Sequence, residues 1–426
     1  MIASPYGSTL MTSDCMRKTR LAIEGGEPVR PQPMPPRLAL GPAEEAMIAE
    51  CLDYYRIRQV DPGYQGHFEE RYCHAFEAYM GGGHADAVAT GTAALYVAIA
   101  ALGLPKGSEV LVSPITDPGT LSAIVLNGLV PKLMDSMPGR YNVGPEELAE
   151  RIGPKVKAAV IVHASGQAAP IDDIVQVAHS HDIKIVEDCS QAHGATWKGR
   201  KVGTFGDIAA FSTMYRKAHM TGASGGVVYV HDEALFHMAL AHADRGKPRW
   251  RTDFDDRDPA GYLFPALNLH TDEISCAIGL ASLARLPETI VARLAFVRDF
   301  EEGLVSSSVC RPYPATDGDS PFIYPVFVDQ SRLSCEKTKF AKAILAEGVG
   351  LSSHYKYLVR DWEWLRPYLA DRFETVNART VRDATFILYL NEKYGKVEAR
   401  DTLAAIAKVE AVMMLLDNPQ ILSDAQ

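Results

Sequence analysis

The sequence predicts an α/β protein whose main sheet is mostly parallel and carries helices on both faces. Short apolar runs alternate with helical stretches between about residues 84 and 230. Strands that alternate with helices favour a parallel sheet. The run "AAVIV" at 158–162 is continuously apolar, which is typical of a strand buried on both faces.

The elements that precede this alternation are an arm and two helices. The chain has 426 residues, enough for two domains in one subunit. The proline-rich "PVRPQPMPPR" at 28–37 cannot continue a helix, so residues 1–37 are predicted to form an extended N-terminal arm. Apolar residues at three- and four-residue spacing then predict helices around Ala43–Tyr55 and Phe68–Met80.

The two helices and the alternating region together form the predicted large domain, 38–285. Its apolar runs are, in order, "ADAVA", "EVLVSP", "AAVIVHA", "IKIVEDC", "IAAFSTM" and "GGVVYV". Helical stretches follow the first three runs: "GTAALYVAIAAL", a segment that begins near Pro118, and "IDDIVQVAHSH". After about Arg285 come a helical pattern at Pro287–Leu304, the strand-like "IYPVFV" and a final amphipathic helix. Residues 286–426 are therefore predicted to form a smaller α+β domain.

Composition and charge exclude several classes of partner. The net charge is −10 and the isoelectric point is near 5.7, which disfavours nucleic acid and anionic membranes because both bind basic surfaces. No run of about 18 apolar residues predicts a transmembrane helix, and the N-terminus lacks the pattern of a secretory signal. Seven scattered cysteines without a CxxC pair predict neither disulfides nor a metal site, so a cytoplasmic location is expected.

The residues at the strand ends predict where chemistry takes place, because ligands of open α/β sheets bind beyond the carboxyl ends of the strands. Thr90-Gly91-Thr92 opens a helix after the first strand, which suits a phosphate, although a threonine N-cap needs no ligand. Asp188 ends a very apolar strand, where a carboxylate needs a cation or several donors. It could equally be a structural cap. Ser212 and Lys217 follow the next strand, although most lysines lie at the surface.

Taken together, these groups match the needs of pyridoxal phosphate. A lysine amine condenses with the cofactor's aldehyde, and an acidic residue pairs with its ring nitrogen. Hydroxyls and helix N–H groups hold its phosphate. Unit charges about 4 Å apart at an effective dielectric of ~20 interact by roughly 4 kcal/mol, or about three pKa units, which keeps the ring nitrogen protonated.

The segment "VEDCSQAHGATWKGRKVGTFGDIAAFSTMYRK" at 186–217 resembles the signature of the DegT–StrS family of sugar and aminocyclitol aminotransferases. Its pattern is D-x-x-Q-x-H-G, then G-x-x-G-D, then S-x-x-x-x-K. The segments at 90–95 and 268–286 are similar to two further family motifs, so the resemblance spans at least residues 84–286. It implies the type I fold of pyridoxal-phosphate enzymes. The "TDPG" and "FSTM" forms are similar to the branch that acts on scyllo-inosose.

The resemblance also implies roles for residues around the cofactor. Lys217 would form the Schiff base, Asp188 would pair with the pyridine nitrogen, and Gln191 would reach the ring hydroxyl. The phosphate would be held by three residues: Gly91, Thr92 and Ser212.

Beyond the cofactor, the resemblance implies a shared active site. Asn268 matches an asparagine that extends into the partner subunit's phosphate site, which implies a homodimer. His193, Tyr64 and His354 are expected near the substrate. For His354 a packed or solvent-facing side chain is the alternative, and for Tyr64 ordinary loop packing.

The predicted function is transfer of an amino group from glutamate or glutamine to a ketone of a sugar or cyclitol. The acceptor would be scyllo-inosose-like or a nucleotide-linked keto-sugar. A catalytically altered regulatory or scaffold protein stays open, because Asp117 replaces the usual stacking aromatic and His270 replaces an arginine. A sugar dehydratase that uses the same cofactor is a further alternative, which Lys217 disfavours because in the family's dehydratase branch the lysine is replaced, as a rule by histidine. The absence of a G-x-G-x-x-G motif after the first strand disfavours a dinucleotide-binding oxidoreductase.

Overall fold

The computed structural model describes residues 20–415. Its larger sheet has seven strands in the order β1-β9-β8-β5-β4-β2-β3. The strands of this region, including a separate hairpin formed by β6 and β7, are β1 His84–Val88, β2 Glu109–Val112, β3 Val130–Leu133, β4 Val156–Val162, β5 Lys184–Asp188, β6 Thr196–Trp197, β7 Arg200–Lys201, β8 Ile208–Ser212 and β9 Gly226–Val230. Only β9 runs antiparallel to its neighbours in this sheet. The predicted, mostly parallel sheet is confirmed.

Helices cover both faces of this sheet. They are α1 Pro42–Arg58, α2 His67–Met80, α3 Gly91–Ala101, α4 Pro118–Leu126, α5 Pro145–Ala149, α6 Ile171–Ser180 and α7 Glu233–Ala243. In β4, Ala158 and Val160 belong to the core on one face, whereas Ala159 and Ile161 belong to the core on the other. Burial on both faces explains why the strand is continuously apolar.

Helix α3 is apolar on all sides because it is enclosed. It packs against β8, β9, α4 and α7, and eight of its eleven residues are buried. A helix in this position cannot present a polar face to solvent. Its N-terminus therefore projects from a rigid core toward the carboxyl edge of the sheet.

The long helix α8 spans Glu273–Leu304, so the sequence placed its start, at Pro287, too late. Proline is favoured at the beginning of helices, but inside one it removes a single backbone hydrogen bond. Here packing on α1, α2 and α11 (Lys396–Met413) stabilises the helix on both sides of the proline. By length and hydropathy α8 is the one helix within residues 20–415 that would suffice to cross a membrane, and this packing accounts for its apolar character. The helix crosses residue 285/286, and the predicted division into 38–285 and 286–426 stays a prediction.

A smaller antiparallel sheet follows, in the order β10-β11-β13-β12. Its strands are β10 Cys310–Pro312, β11 Ile323–Val328, β12 Leu351–Ser352 and β13 Thr385–Tyr389, and the remaining helices are α9 Lys337–Ala346 and α10 Val376–Asp383. Short 3₁₀ turns occupy Ala22–Glu24, Ala164–Gly166, Pro259–Gly261, Gln330–Arg332, Val359–Asp361 and Glu363–Tyr368. The predicted strand "IYPVFV" (β11) and the final helix are confirmed, whereas β12 and β13 were not predicted.

The described part of the N-terminal arm lies on the smaller sheet's helices. The buried Glu347 carboxylate accepts hydrogen bonds from the backbone N–H groups of Ala22 and Val29, at 2.8 and 3.0 Å, and from Lys408 Nζ at 2.8 Å. Residues 1–19 of the predicted arm lie outside the described residues. The rest of the arm is therefore docked on the protein and leads toward the carboxyl edge of the large sheet.

Candidate active site

A cavity of about 1090 Å³ opens between the large sheet and the smaller one. Seven of the predicted site residues line it: Gly91, Thr92, Asp188, Gln191, Ser212, Lys217 and His354. The first six come from strand ends and helix starts of the large sheet, as parallel strands require. The structure thus brings together in one cavity residues that are up to 263 positions apart in the sequence.

One corner of the cavity is suited to an anion. The Thr90 side chain accepts the Ala93 N–H at 2.9 Å, as predicted for an N-cap, and this leaves the first N–H groups of α3 for a ligand. A Cβ on Gly91 would lie 2.4 Å from Ser212 Cβ. Only glycine therefore lets the start of α3 approach the Ser212 hydroxyl so closely.

A second helix begins beside the same corner. The Asp117 side chain caps α4 by accepting the Gly119 N–H at 2.9 Å. A Cβ on Gly119 would lie 2.4 Å from Thr92 Oγ1, so the Thr92 hydroxyl lies against the first turn of α4. Two helix starts and two hydroxyls form a cradle that a side chain at either glycine would fill, which fits the phosphate of pyridoxal phosphate.

The Asp188 carboxylate is held deep in the cavity wall. It is only 3% exposed, accepts the Thr120 hydroxyl at 3.0 Å on Oδ2 and accepts the Ser190 N–H at 3.1 Å on Oδ1. These donors explain how a carboxylate is tolerated at the end of an apolar strand. A carboxylate has about four acceptor sites, so Asp188 retains capacity for a cationic ring nitrogen.

Lys217 is buried at the same site. Its side chain is 9% exposed, and Nζ lies 4.3 Å from the centre of the Phe322 ring. Burial lowers the pKa of Lys217 to about 8, while the Asp188 and Asp117 carboxylates act in the opposite direction. Near pH 8 about half of the amine is therefore free, which is the state that a nucleophile or proton carrier requires.

Gln191 stands at the junction of the two sheets. Its Oε1 accepts the Ser165 N–H at 2.8 Å, and both Gln191 and Tyr355 line the cavity. The oxygen is thus engaged by the backbone, and the orientation of the amide follows from that bond. A ring hydroxyl in the cavity would meet a side chain that is already oriented.

Three predicted residues lie outside the cavity walls of the single chain. His193 is 2% exposed and packs on Phe211 and His219. Burial lowers the pKa of His193, so it is a neutral core residue here. The expected contact of His193 with a substrate is not supported, because Phe211 and the other core side chains surround it.

Tyr64 and Asn268 lie together on another surface. The ring of Tyr64, 55% exposed, stacks on His270 with centroids 4.5 Å apart. Asn268 is exposed, and its Oδ1 accepts the His270 N–H at 3.3 Å. Within one chain neither residue reaches the cavity, so a role for Tyr64 in that chain's own site is not supported. The role of Asn268 in a partner's site stays a prediction.

The cavity also contains residues that the sequence did not indicate. Arg37 from the arm and Phe322 before β11 both line it. Neither stands in a motif of the large domain. They come from segments that only the three-dimensional packing places over the lysine, so no local pattern could have identified them.

The chain is similar in sequence to known aminotransferases. The model of the DegT/DnrJ/EryC1/StrS aminotransferase family matches residues 47–407. The GDP-perosamine synthase of Caulobacter vibrioides is 32% identical over 311 residues, which cover 72% of this chain and 80% of the relative. The L-glutamine:2-deoxy-scyllo-inosose aminotransferase of Micromonospora echinospora is 31% identical over 315 residues, 72% of this chain and 73% of the relative.

Solved structures share the fold. The aminotransferase from Psychrobacter cryohalolentis matches with a TM-score of 0.81 at 25% identity and covers 89% of this chain and 99% of that one. The Escherichia coli GDP-4-keto-6-deoxy-D-mannose-3-dehydratase matches with a TM-score of 0.78 at 21% identity, covering 86% and 97%. The fold is therefore shared by aminotransferases and a dehydratase, and the residues in the cavity must distinguish them.

Proposed function

The chain belongs to the DegT/DnrJ/EryC1/StrS aminotransferase family, and we propose that it uses pyridoxal phosphate to move an amino group from glutamate or glutamine to a ketone of a sugar or cyclitol. The observation that carries this proposal is the buried amine of Lys217, which shares one cavity with the Asp188 carboxylate and the phosphate cradle of α3 and α4. A lysine at this position favours transamination over dehydration.

Each residue of the site has a task that its surroundings support. When bound, pyridoxal phosphate supplies an aldehyde that condenses with amines and a ring that accepts electrons. The Lys217 amine, with its pKa lowered by burial, takes and returns the proton of the donor's α-carbon. Asp188 holds positive charge on the ring nitrogen, and the N-terminus of α3 with Ser212 binds the phosphate.

The acceptor class is inferred from the relatives and from the cavity wall. The two relatives named above are a perosamine synthase and a scyllo-inosose aminotransferase. The smaller sheet contributes hydroxyl and imidazole groups to the cavity, from Ser352, His354, Tyr355 and Tyr357. Such groups suit a polyhydroxylated acceptor, because each hydroxyl of the acceptor needs a partner once it is buried.

The subunit arrangement belongs to the proposal as well. Asn268 is exposed and lies outside its own cavity, which is consistent with a residue that completes the phosphate cradle of a second subunit. We therefore expect a homodimer with shared active sites, working in the cytoplasm. The net charge of −10 is consistent with a small-molecule enzyme that binds no nucleic acid.

The test is spectroscopic and requires no knowledge of the acceptor. Purified protein mixed with pyridoxal phosphate should absorb near the visible edge, and glutamate or glutamine should convert the cofactor to its amine form. Lys217→Ala should abolish both the band and turnover, whereas Lys198→Ala, at a lysine 61% exposed, should leave them unchanged.

Two results would contradict this assignment. Full activity of Lys217→Ala would remove the lysine from the chemistry. A band that neither amino donor changes would favour the regulatory or scaffold alternative. If the donor reaction is observed, the acceptor is identified next, by comparing turnover of scyllo-inosose with turnover of nucleotide-linked 3-keto and 4-keto sugars.

A further inference from the structure

We propose that Arg37 of the N-terminal arm is a positioning residue for Lys217, acting through a buried ion triad with Glu392 and Arg293. The inference depends on the proposed function in one respect, namely that the amine of Lys217 is the reacting group. The triad is defined by these three side chains, which are 13%, 10% and 1% exposed. It joins the arm, helix α8 and the segment after β13.

Arg37 holds the backbone on both sides of Lys217. Its Nη1 donates to the Tyr215 carbonyl at 2.7 Å and its Nη2 to the Ala218 carbonyl at 3.1 Å. Its Nε donates to Glu392 Oε1 at 2.8 Å. Each nitrogen of the guanidinium therefore has a different partner, which a lysine ammonium on a flexible stem cannot reproduce.

The other half of the triad fixes the surface that Lys217 contacts. Arg293 donates to Glu392 Oε2 from Nη2 at 2.9 Å and from Nε at 3.2 Å, and its Nη1 donates to the Pro321 carbonyl at 3.1 Å. Pro321 directly precedes Phe322, whose ring lies 4.3 Å from Lys217 Nζ. The loop that carries the amine and the aromatic ring beneath it are thus fixed by one ion network.

Glu392 is the link between the two arginines. Burial raises the pKa of its carboxyl, but Arg293 and Arg37 outweigh that effect and hold the pKa below its ordinary value. The carboxylate is therefore charged at neutral pH and binds one arginine on each oxygen. Loss of this charge would leave the two arginines bound to a neutral group, which weakens both of their contacts with Glu392.

The consequence for Lys217 follows from its burial. The charged and titratable groups around its amine are Asp188, Asp117 and His193, and none of them belongs to the triad. If the loop relaxes, these groups are unchanged but burial of the amine decreases. The pKa of Lys217 should then rise from about 8 toward its ordinary value of 10.5.

The experiment uses Arg37→Lys, with Arg298→Lys as the matched control because Arg298 is 59% exposed and pairs with an exposed aspartate. The pH midpoint for acetylation of Lys217 by acetic anhydride is measured by peptide mass spectrometry in the cofactor-free full-length protein. The midpoint should rise by about one unit in Arg37→Lys and stay in place in the control. The midpoint is used instead of the rate, because looser packing also increases access.

In the enzyme with cofactor, Arg37→Lys should lower kcat by about 10- to 100-fold and change the KM for glutamate much less. Glu392→Gln serves as a second variant and should shift the midpoint in the same direction. If one variant fails to fold, the other still tests the proposal. An unchanged midpoint with unchanged kcat in a folded variant would overturn the proposal. Because labelling requires no cofactor, this result is distinguishable from the failure of Lys217→Ala to abolish turnover.

Discussion

At the scale of single residues, Lys217 shows how burial and charge compete at one amine. Burial lowers its pKa to about 8, and Asp188 and then Asp117 raise it. Near pH 8 the charged and the free amine are therefore both populated, and the free form can react. The balance depends on two carboxylates that each perform another task, at the end of β5 and at the start of α4.

This balance predicts the effect of Asp188→Asn on Lys217. The carboxylate stabilises the ammonium form, so its removal should lower the pKa of Lys217 below about 8. The pH midpoint of Lys217 labelling in the cofactor-free protein measures this shift. Asp117→Asn is the matched comparison and should give a smaller shift in the same direction. A midpoint that rises in Asp188→Asn would show that the charge on Asp188 does not act on the amine.

Asp117 also illustrates a limit of residue-by-residue comparison. It occupies the place where the family often has an aromatic residue, which kept a non-catalytic alternative open. In the structure its side chain caps α4 through the Gly119 N–H. The cap explains why an aspartate stands at this position, and it is compatible with catalysis because it orders the start of α4 beside the proposed phosphate cradle.

At the scale of elements, β5 ends with two carboxylates that point to opposite faces of the sheet. Asp188 faces the cavity, whereas Glu187 is fully buried behind it. Glu187 accepts N–H groups from Gly203, Phe205 and Gly206 at 2.7, 2.7 and 2.6 Å. The turn that leads into β8, and so toward Lys217, is anchored by this carboxylate.

His163 completes the anchor of Glu187. Its Nε2 lies 3.0 Å from Glu187 Oε2, and its Nδ1 accepts the Ala169 N–H at 3.1 Å. The ligand atoms of His163, Glu187 and Cys189 lie within 4.8 Å of one another, a spacing that would also suit a metal ion. Because the histidine and the carboxylate already have protein partners, the cluster is accounted for as a structural clamp.

The clamp predicts a pH-dependent contribution to stability. Burial raises the pKa of Glu187, but the hydrogen bonds from His163, Gly206 and Gly203 outweigh it and hold the pKa below the ordinary 4.5. A carboxyl with a depressed folded pKa stabilises the protein above about pH 4.5, and that stabilisation is lost as pH falls through the folded value. Stability should therefore fall steeply on the acid side of pH 4.5.

Glu187→Gln tests this contribution. The amide places a donor against N–H donors, so the free energy of unfolding should fall by about 2–4 kcal/mol at pH 7. The acid limb should also become shallower, since the uncharged side chain has no protonation to lose. Calorimetric unfolding between pH 7 and 3.5 measures both effects, with the exposed Glu302→Gln as control. Equal acid limbs in the two variants would contradict the role of Glu187.

At the scale of the whole molecule, the active site is a joint product of several segments. The large sheet supplies Asp188 and Lys217, the segment before β11 supplies Phe322, and the arm supplies Arg37. The proposed dimer would add Asn268 of one subunit to the cavity of the other. In the proposed dimer the site would be complete only when the arm, both sheets and both subunits are assembled.

Complementation between two variants that we expect to be inactive tests the shared site. Lys217→Ala lacks the proposed reacting amine, and Asn268→Ala should lack part of the partner's phosphate cradle. In a mixed dimer one of the two sites is intact, so co-expression of equal amounts should restore about a quarter of wild-type activity. Activity no higher than that of either variant alone, or a monomer in sedimentation, would contradict shared sites.

The sequence by itself determined the sheet and the six cavity residues of its carboxyl edge. Hydrophobic periods and apolar runs are local properties, and the carboxyl ends of parallel strands must meet at one edge. Gly91, Asp188 and Lys217 were therefore expected together at that edge, where they line one cavity, and their roles stay predictions. Tertiary packing decided the rest. Helix α8 runs through Pro287 because its neighbours compensate for one lost hydrogen bond. The Arg37–Glu392–Arg293 triad joins positions up to 355 residues apart, and such contacts leave no periodic trace in a sequence because they form only once the chain is folded.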